Sequence, residues 1–121
     1  MILEGQIVLL HFPQTDQKDG KLRPALILRK LPGKFDDWLI CMISSQLHQA
    51  TPALDEIINV EEPEFQQTGL KQSSLIRASR LVVVDGNILI GKLGTIDTLR
   101  LNKIRNNICV WLQNPSSNPP A

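Results

Sequence analysis

The sequence predicts a fold that is mainly β with α, a small antiparallel barrel packed by one C-terminal helix. Two patterns lead to this prediction. The first two thirds of the chain consist of short apolar, β-branched runs separated by turn residues, which is typical of strands. The remainder changes to a helical period, with apolar residues at steps of three and four. A barrel covered by the helix buries the apolar face of both.

The strands follow one another with clear punctuation. The first, Gln6–Leu10, begins after Gly5 and is followed by a polar loop over residues 11–22. Asp85-Gly86 separates the last two strands and indicates a hairpin, because Gly takes positive φ without penalty. The later strands are predicted over Ala25–Leu28, Trp38–Ile43, Glu56–Val60, Ser74–Val84 and Asn87–Leu93.

A helix follows, and Asp97 is placed to cap its N-terminus. Three polar side chains are expected on its solvent side: Arg100, Lys103 and Asn107. Five apolar residues lie at helical spacing and are predicted to pack on the barrel: Leu101, Ile104, Ile108, Trp111 and Leu112.

The chain has 121 residues, of which 42% are hydrophobic, enough to bury roughly two thirds of its unfolded surface as one domain. We expect that domain over residues 1–113 and a flexible tail over 114–121, since the tail is rich in Pro, Ser and Asn. No apolar run approaches the ~20 residues of a membrane helix. The N-terminus lacks the basic and apolar parts of a signal peptide, so a cytoplasmic protein is expected.

Three polar side chains in or beside predicted strands are candidates for chemistry. Arg23 precedes Pro24, which favours extended geometry and holds the backbone of Arg23 stiffly, and a guanidinium on a stiff base is a good clamp for a phosphate. Ser44 ends a strand together with Ser45 and Gln46, where hydroxyl and amide groups can orient a ligand. Strand alternation sets Arg77 and Ser79 on one face. Each also has a plain structural interpretation: a surface arginine, a loop hydrogen bond and a solvated sheet face.

The sequence gives little support for a metal or a cofactor. Cys41 lies in an apolar run and is expected to be a buried, unreactive thiol. Cys109, His11 and His48 have no ligand spacing, so no metal site is predicted.

The order of these motifs is more specific than any one of them, and it resembles the MazF/PemK-like toxins of type II toxin–antitoxin systems. The resemblance runs from about Gly5 to Leu112, and its most specific part is the Arg-Pro strand followed by the Ile-Ser-x-Gln strand end. The matching segments are Gly5-Gln6-Ile7-Val8-Leu9-Leu10, Phe12-Pro13, Thr15-Asp16, Arg23-Pro24-Ala25-Leu26-Ile27-Leu28, Ile43-Ser44-Ser45-Gln46, Gly69-Leu70-Lys71, Ile76-Arg77-Ala78 and Leu93-Gly94.

The resemblance implies an SH3-like (CcdB/PemK-like) barrel, a homodimer and sequence-selective, metal-independent endoribonuclease activity without a cofactor. Single-stranded RNA would be cleaved through the 2′-hydroxyl, giving a 2′,3′-cyclic phosphate and a 5′-hydroxyl, and an antitoxin protein would neutralise the enzyme. Arg23, Ser44 and Arg77 would be catalytic. RNA-binding roles are expected for Lys18, Lys21, Ser45, Gln46, Ser79 and Arg80.

Two departures from the family pattern leave alternatives open. Ser79 stands where the family's Arg-x-Asp strand has its carboxylate, and Gln17 stands near the position of the loop histidine of some members. The chain is alternatively a toxin that acts by binding a protein such as gyrase, or a degenerate member that only pairs with an antitoxin.

The net charge of +1 conceals an uneven distribution. Five acidic residues form a block without Lys or Arg: Asp55, Glu56, Glu61, Glu62 and Glu64. The rest of the chain contains the other 7 of the 12 acidic residues and all 13 basic residues. This excess of basic residues predicts a basic groove. With 4% aromatic residues and no Tyr, phosphate contacts are favoured over base stacking, and RNA binding should depend strongly on salt.

Overall fold

Six strands of the described chain form one antiparallel sheet, which curls into a half-barrel and confirms the predicted fold class. The computed structural model describes residues 1–11 and 21–114. The strands lie in the order β4-β5-β3-β2-β1-β6. Their bounds are β1 Gln6–Leu10, β2 Arg23–Lys30, β3 Asp37–Ser44, β4 Glu56–Ile58, β5 Ser74–Asp85 and β6 Gly91–Thr95. Two helices, α1 Phe65–Thr68 and α2 Thr98–Gln113, complete the fold with 3-10 turns at Leu47–Gln49 and Gly86–Ile88.

Both faces of the sheet are apolar where they are covered, as strand alternation requires. One face packs against α2 and carries the larger core, which includes Ile7, Leu26, Cys41, Ile76, Leu101, Ile104 and Ile108. The opposite face carries a second cluster of Val8, Leu10, Ala25, Ile27, Trp38, Ile40 and Val84. The polar ends of the strands are left at the rim of the half-barrel, where ligands can reach them.

The hairpin predicted at Asp85-Gly86 is wrong. Gly86 does not have positive φ, and its N–H donates to the carbonyl of Asp36 at 2.8 Å. The Asp85 carboxylate accepts from Asn87 N at 2.8 Å, which stabilises a 3-10 turn instead of a tight reversal. The chain therefore crosses to the far edge of the sheet, where β6 pairs with β1.

The helix is present, but its last turn is not core. Leu101, Ile104 and Ile108 are buried, as the spacing predicts. Trp111 is 57% exposed and Leu112 is 65% exposed, which corrects the prediction that both pack on the barrel. Periodicity identifies the face of a helix that points inward, yet burial also needs a surface opposite that face. The described residues supply no such surface beyond Ile108.

Arg100 is also placed differently from the prediction. Its side chain is 15% exposed and forms ion pairs with Glu62, with Glu64 at 2.9 Å and with Glu56 at 3.4 Å. Burial opposes the charged form, but the hydrogen bond to Glu64 and the neighbouring carboxylates raise the pKa of Arg100 above its usual value. Much of the acidic block is therefore neutralised by α2.

Asp97 occupies the N-cap position of α2 but makes no side-chain bond to the first helical N–H groups. Its carboxylate accepts instead from Nε2 of Gln67 in α1, at 2.9 Å. The short helix α1 carries no periodic signal and was not predicted. The predicted tail lies outside the described residues from position 115 onward. None of the helices described is long and apolar enough to span a membrane.

Candidate functional site

A groove of about 460 Å³ lies at the edge of the half-barrel where β2 begins and β3 ends. Its floor is apolar and its rim is polar, a combination typical of ligand sites. None of its described lining residues is acidic. Those residues are Leu9, Leu22, Arg23, Pro24, Ile43, Ser44, Ser45, Gln46, Gly69, Leu70, Lys71, Gln72, Ser74 and Leu93.

Arg23 and Ser44 come together because β2 and β3 are antiparallel. Ala25 pairs with Met42, and continuing that register by two residues sets Arg23 beside Ser44. Pro24 fits the start of β2, where a missing N–H costs little. Arg23 is exposed and both side chains line the groove. The two candidates are separated by 21 positions in the sequence, yet they share one rim.

Ser44 is oriented by its own loop. Its Oγ accepts a hydrogen bond from the N–H of Gln46 at 3.0 Å. One lone pair of the hydroxyl is thus occupied while its proton remains to donate, since a hydroxyl is both donor and acceptor. The arrangement suits a donor to an anionic oxygen in the groove. Ser45 and Gln46 line the groove beside it.

The opposite wall of the groove is the segment that follows α1, and sequence reasoning assigned it no role. Two glycines let this segment lie directly on β6. Gly69, with φ of 73°, would place a Cβ 2.3 Å from the carbonyl oxygen of Leu93. A Cβ on Gly94 would lie 2.1 Å from the carbonyl oxygen of Gln67. The contact brings Lys71 to the rim as a second cation.

Lys71 and Gln72 had a weak signal in the sequence. Gly69-Leu70-Lys71 belongs to the family resemblance, but a lone lysine in a polar stretch does not distinguish a ligand contact from a solvated loop. Their position depends on β6 passing behind α1, a contact between segments about 25 residues apart. Local patterns do not predict such a contact.

Arg77 does not line the groove. It lies in β5 opposite Met42, two residues along the sheet from the Ser44 pair. Its Nη1 donates to Oε1 of Gln49 at 3.1 Å. Its Nε is buried and has no hydrogen-bond partner. The structure therefore sets Arg77 on the sheet beside the groove rather than at its rim.

The remaining sequence candidates are scattered. The Ser79 hydroxyl donates to Asp55 at 3.1 Å and neither residue lines the groove. Arg80 is exposed on β5, and Lys21, also exposed, offers its carbonyl to the ring of His11 at 3.3 Å. Lys18 lies outside the described residues.

No group of three His, Cys, Asp or Glu side chains that could hold a metal ion occurs in residues 1–11 and 21–114. The groove instead offers two cations, Arg23 and Lys71, together with the hydroxyl of Ser44 and several amides. Cations and hydroxyl donors around an apolar floor suit a phosphodiester with its attached base. The groove can bind such a group and stabilise negative charge that develops on it.

The chain is similar to known proteins in sequence and in fold. A family model described as the PemK-like, MazF-like toxin of type II toxin–antitoxin systems matches residues 3–112. One solved structure with a similar fold is an endoribonuclease in complex with its cognate antitoxin, from a mycobacterial species. Its TM-score is 0.62, with 17% sequence identity, over 96% of this chain and 99% of that chain. Comparison with curated proteins gives no match.

Proposed function

The chain belongs to the PemK-like, MazF-like toxins of type II toxin–antitoxin systems, and on this basis we propose that it is a sequence-selective endoribonuclease. Its substrate is single-stranded mRNA in the cytoplasm, and it needs neither a metal nor a cofactor. One observation carries the proposal: the groove unites Arg23, Ser44 and Lys71 without a described acidic side chain in its lining. The structural neighbour, an endoribonuclease in complex with its cognate antitoxin, supports it.

The proposed reaction uses a nucleophile that the RNA itself supplies. The 2′-hydroxyl gives up its proton to solvent as its oxygen attacks the adjacent phosphorus, the bond from phosphorus to the 5′-oxygen breaks, and the leaving 5′-oxygen takes up a proton from solvent. The products are a 2′,3′-cyclic phosphate and a 5′-hydroxyl. Negative charge grows on the phosphoryl oxygens in the transition state. Arg23 stabilises this charge, and because a guanidinium stays protonated in proteins it acts as a clamp rather than a base.

The Ser44 hydroxyl donates a hydrogen bond to a non-bridging oxygen of the same phosphate. Arg77, placed on the sheet beside the groove, binds a neighbouring phosphate of the strand. Asp55 takes no direct part, since its carboxylate already accepts three hydrogen bonds and lies outside the groove lining.

The proposed partners are a second copy of this chain and an antitoxin. A dimer is supported by the free edge of β5: among described residues, no strand pairs with 81–85 on the side away from β3. Leu81 and Val83 on this stretch are 39% and 47% exposed. Unpaired edges with exposed apolar side chains invite strand pairing or association. The antitoxin would occupy the RNA groove.

A second candidate function is supported by the exposure of Trp111 on α2. An exposed tryptophan beside Val110 and Leu112 is a typical anchor for a protein contact, so the toxin would instead act by binding a protein such as gyrase. Inhibition of gyrase supercoiling that is lost in Trp111→Ala, without any RNA cleavage, would favour this candidate.

The proposal is tested through the chemistry of the product ends. Purified protein without antitoxin is incubated with a long unstructured RNA in EDTA. The 5′ ends of the fragments should accept phosphate from polynucleotide kinase without prior dephosphorylation, and the 3′ ends should resist poly(A) polymerase until the cyclic phosphate is removed. Ser44→Ala should slow cleavage roughly 100–1000-fold, as the loss of one donor to a transition-state oxyanion does. Fragments with 5′-phosphates would contradict the mechanism.

A further inference from the structure

The loop between β3 and β4, residues 45–55, is tied to β5 at a point two residues beyond Arg77. The Asp55 carboxylate accepts from Ser79 N at 2.9 Å and from Ser79 Oγ at 3.1 Å. The same carboxylate accepts from Thr51 N at 2.8 Å. Because the two oxygens of this one carboxylate bond both to the loop and to β5, the end of the loop has a fixed position on β5.

The loop is ordered by its own bonds as well. The N–H groups of Leu54 and Asp55 both donate to the carbonyl of Thr51, at 3.2 and 3.0 Å. Ala53, which lies between Thr51 and Leu54, has φ of 70°, and it is the one non-glycine residue of the described chain with positive φ. A residue of this kind persists where its surroundings determine the conformation. The loop is therefore built to hold one shape.

The segment of β5 that Asp55 fixes is irregular. Cys41 pairs with Leu81, but the next residue, Met42, pairs with Arg77. Residues 78–80 are thus extra residues in β5 relative to β3, a bulge that bends the strand and redirects its side chains. Asp55 bonds to the middle of this bulge and so fixes the backbone directly after Arg77.

The loop also holds the Arg77 side chain itself. Gln49, near its middle, accepts from Nη1 of Arg77 at 3.1 Å, and Nε of Arg77 is buried without an acceptor. A buried donor without a partner is unfavourable, so this pose depends on the contacts that the loop supplies. A guanidinium held in this way loses less rotamer freedom when it binds an anion.

We infer that Gln49 and Asp55 are positioning residues, which hold Arg77 ready to bind a phosphate of the RNA strand beside the groove. Asp55 fixes the bulge and the loop, and Gln49 fixes the guanidinium. The inference rests on the proposed function, since it names the residues that prepare one of its phosphate contacts. It distinguishes this loop from a connection that merely joins two strands.

The test measures RNA binding and its dependence on salt. The probe is a single-stranded RNA oligonucleotide carrying a site cut by the wild-type protein, with a 2′-deoxy nucleotide at the scissile position. Gln49→Met keeps the length of the side chain and removes its carbonyl acceptor. It should weaken binding roughly 3–10-fold, the range for losing one pre-ordered side chain. It should also make the negative slope of log K against log salt less steep. In Arg77→Ala the magnitude of this slope should fall by about 0.7, and Gln49→Met should shift toward that value.

Two comparisons separate positioning from a general structural effect. In the Arg77→Ala background, Gln49→Met and Asp55→Asn should each change binding less than about twofold, because their partner is gone. His48→Ala, an exposed neighbour in the same loop, should bind as the wild type does. Since Gln49 is exposed, its variant should melt within about 2 °C of the wild type.

The outcomes distinguish the inference from the proposed function. If wild-type protein cuts RNA and Arg77→Ala binds weakly while Gln49→Met keeps wild-type affinity and slope, the inference is wrong and the function stands. Independent losses that multiply in the double variant also overturn it. Cleavage and binding by the wild type are also measured with an unmodified pool of single-stranded RNA. If the wild type neither cuts nor binds this RNA, the inference and the proposed function are both overturned.

Discussion

Gly94 offers the sharpest test of how the groove is built. Replacing it by Ala would add a Cβ 2.1 Å from the carbonyl oxygen of Gln67 and 2.6 Å from the carbonyl group of Thr68. Both contacts are with backbone, which a rotamer change cannot relieve. Gly94 pairs with Ile7 in the sheet, so β6 is also held from its other side. Relief therefore requires α1 to move by roughly 1 Å.

The expected cost follows from this geometry. Overpacking against a fixed backbone lies at the upper end of its usual range, about 3 kcal/mol. The reduced freedom of the unfolded chain returns roughly 0.5 kcal/mol. For a chain of this size the remainder lowers Tm by roughly 10 °C. Because α1 leads into Gly69 and Leu70 on the groove wall, RNA cleavage should fall as well.

A matched control lies in the same strand. Gly91 is exposed and a Cβ there meets nothing within 4 Å, so Gly91→Ala should leave Tm within about 2 °C of the wild type. The two variants are compared by thermal unfolding followed by circular dichroism. A Gly94→Ala protein that melts with the wild type would refute the backbone contact between α1 and β6.

Three further outcomes follow from other parts of the structure. Arg100→Met should lower the free energy of unfolding, measured in urea, by about 2–3 kcal/mol, since it leaves partly buried carboxylates unpaired. The control is Lys103→Met: the Lys103 side chain is 65% exposed, so its loss should cost below about 0.5 kcal/mol. Equal losses in the two variants would contradict the role of Arg100. Burial raises the pKa of the Cys41 thiol, whereas Cys109 is exposed. A thiol reagent at pH 8 should therefore modify Cys109 quickly and Cys41 only after unfolding. Rapid modification of both thiols in the native protein would contradict this expectation. RNA affinity should fall steeply between 50 and 200 mM salt, and flat affinity would argue against a groove that binds phosphates.

Much of the fold could be predicted because the apolar patterns of the strands and of the helix lie within each segment's own residues. Gln6–Leu10 is read as a strand from its own residues and is observed with those bounds. The Asp85-Gly86 turn could not be predicted, since the carbonyl of Asp36 that binds Gly86 N comes from a distant part of the chain. Trp111 shows the same limit, because its spacing is helical but its burial depends on what faces it.

The site could be predicted in part for a related reason. Arg23 and Ser44 stand at strand ends, and antiparallel pairing of their strands joins them. Lys71 reaches the groove through a contact between α1 and β6 that two glycines permit, which no local pattern indicates. The sequence predicts that the acidic block lowers the net charge and so conceals a basic groove elsewhere. In the structure, three carboxylates of this block form ion pairs with Arg100, which neutralises much of their charge.

The central claim is that the groove holding Arg23 cleaves RNA, and one comparison tests it most directly. Wild-type protein, Arg23→Ala and Arg29→Ala are incubated in EDTA with a varied pool of single-stranded RNA. Arg29 lies near the other end of the same strand and is exposed, so it controls for the loss of one surface cation. The account predicts cleavage by the wild type and by Arg29→Ala, and a loss of at least roughly 100-fold for Arg23→Ala. No cleavage by the wild type, or equal cleavage by all three proteins, would contradict it.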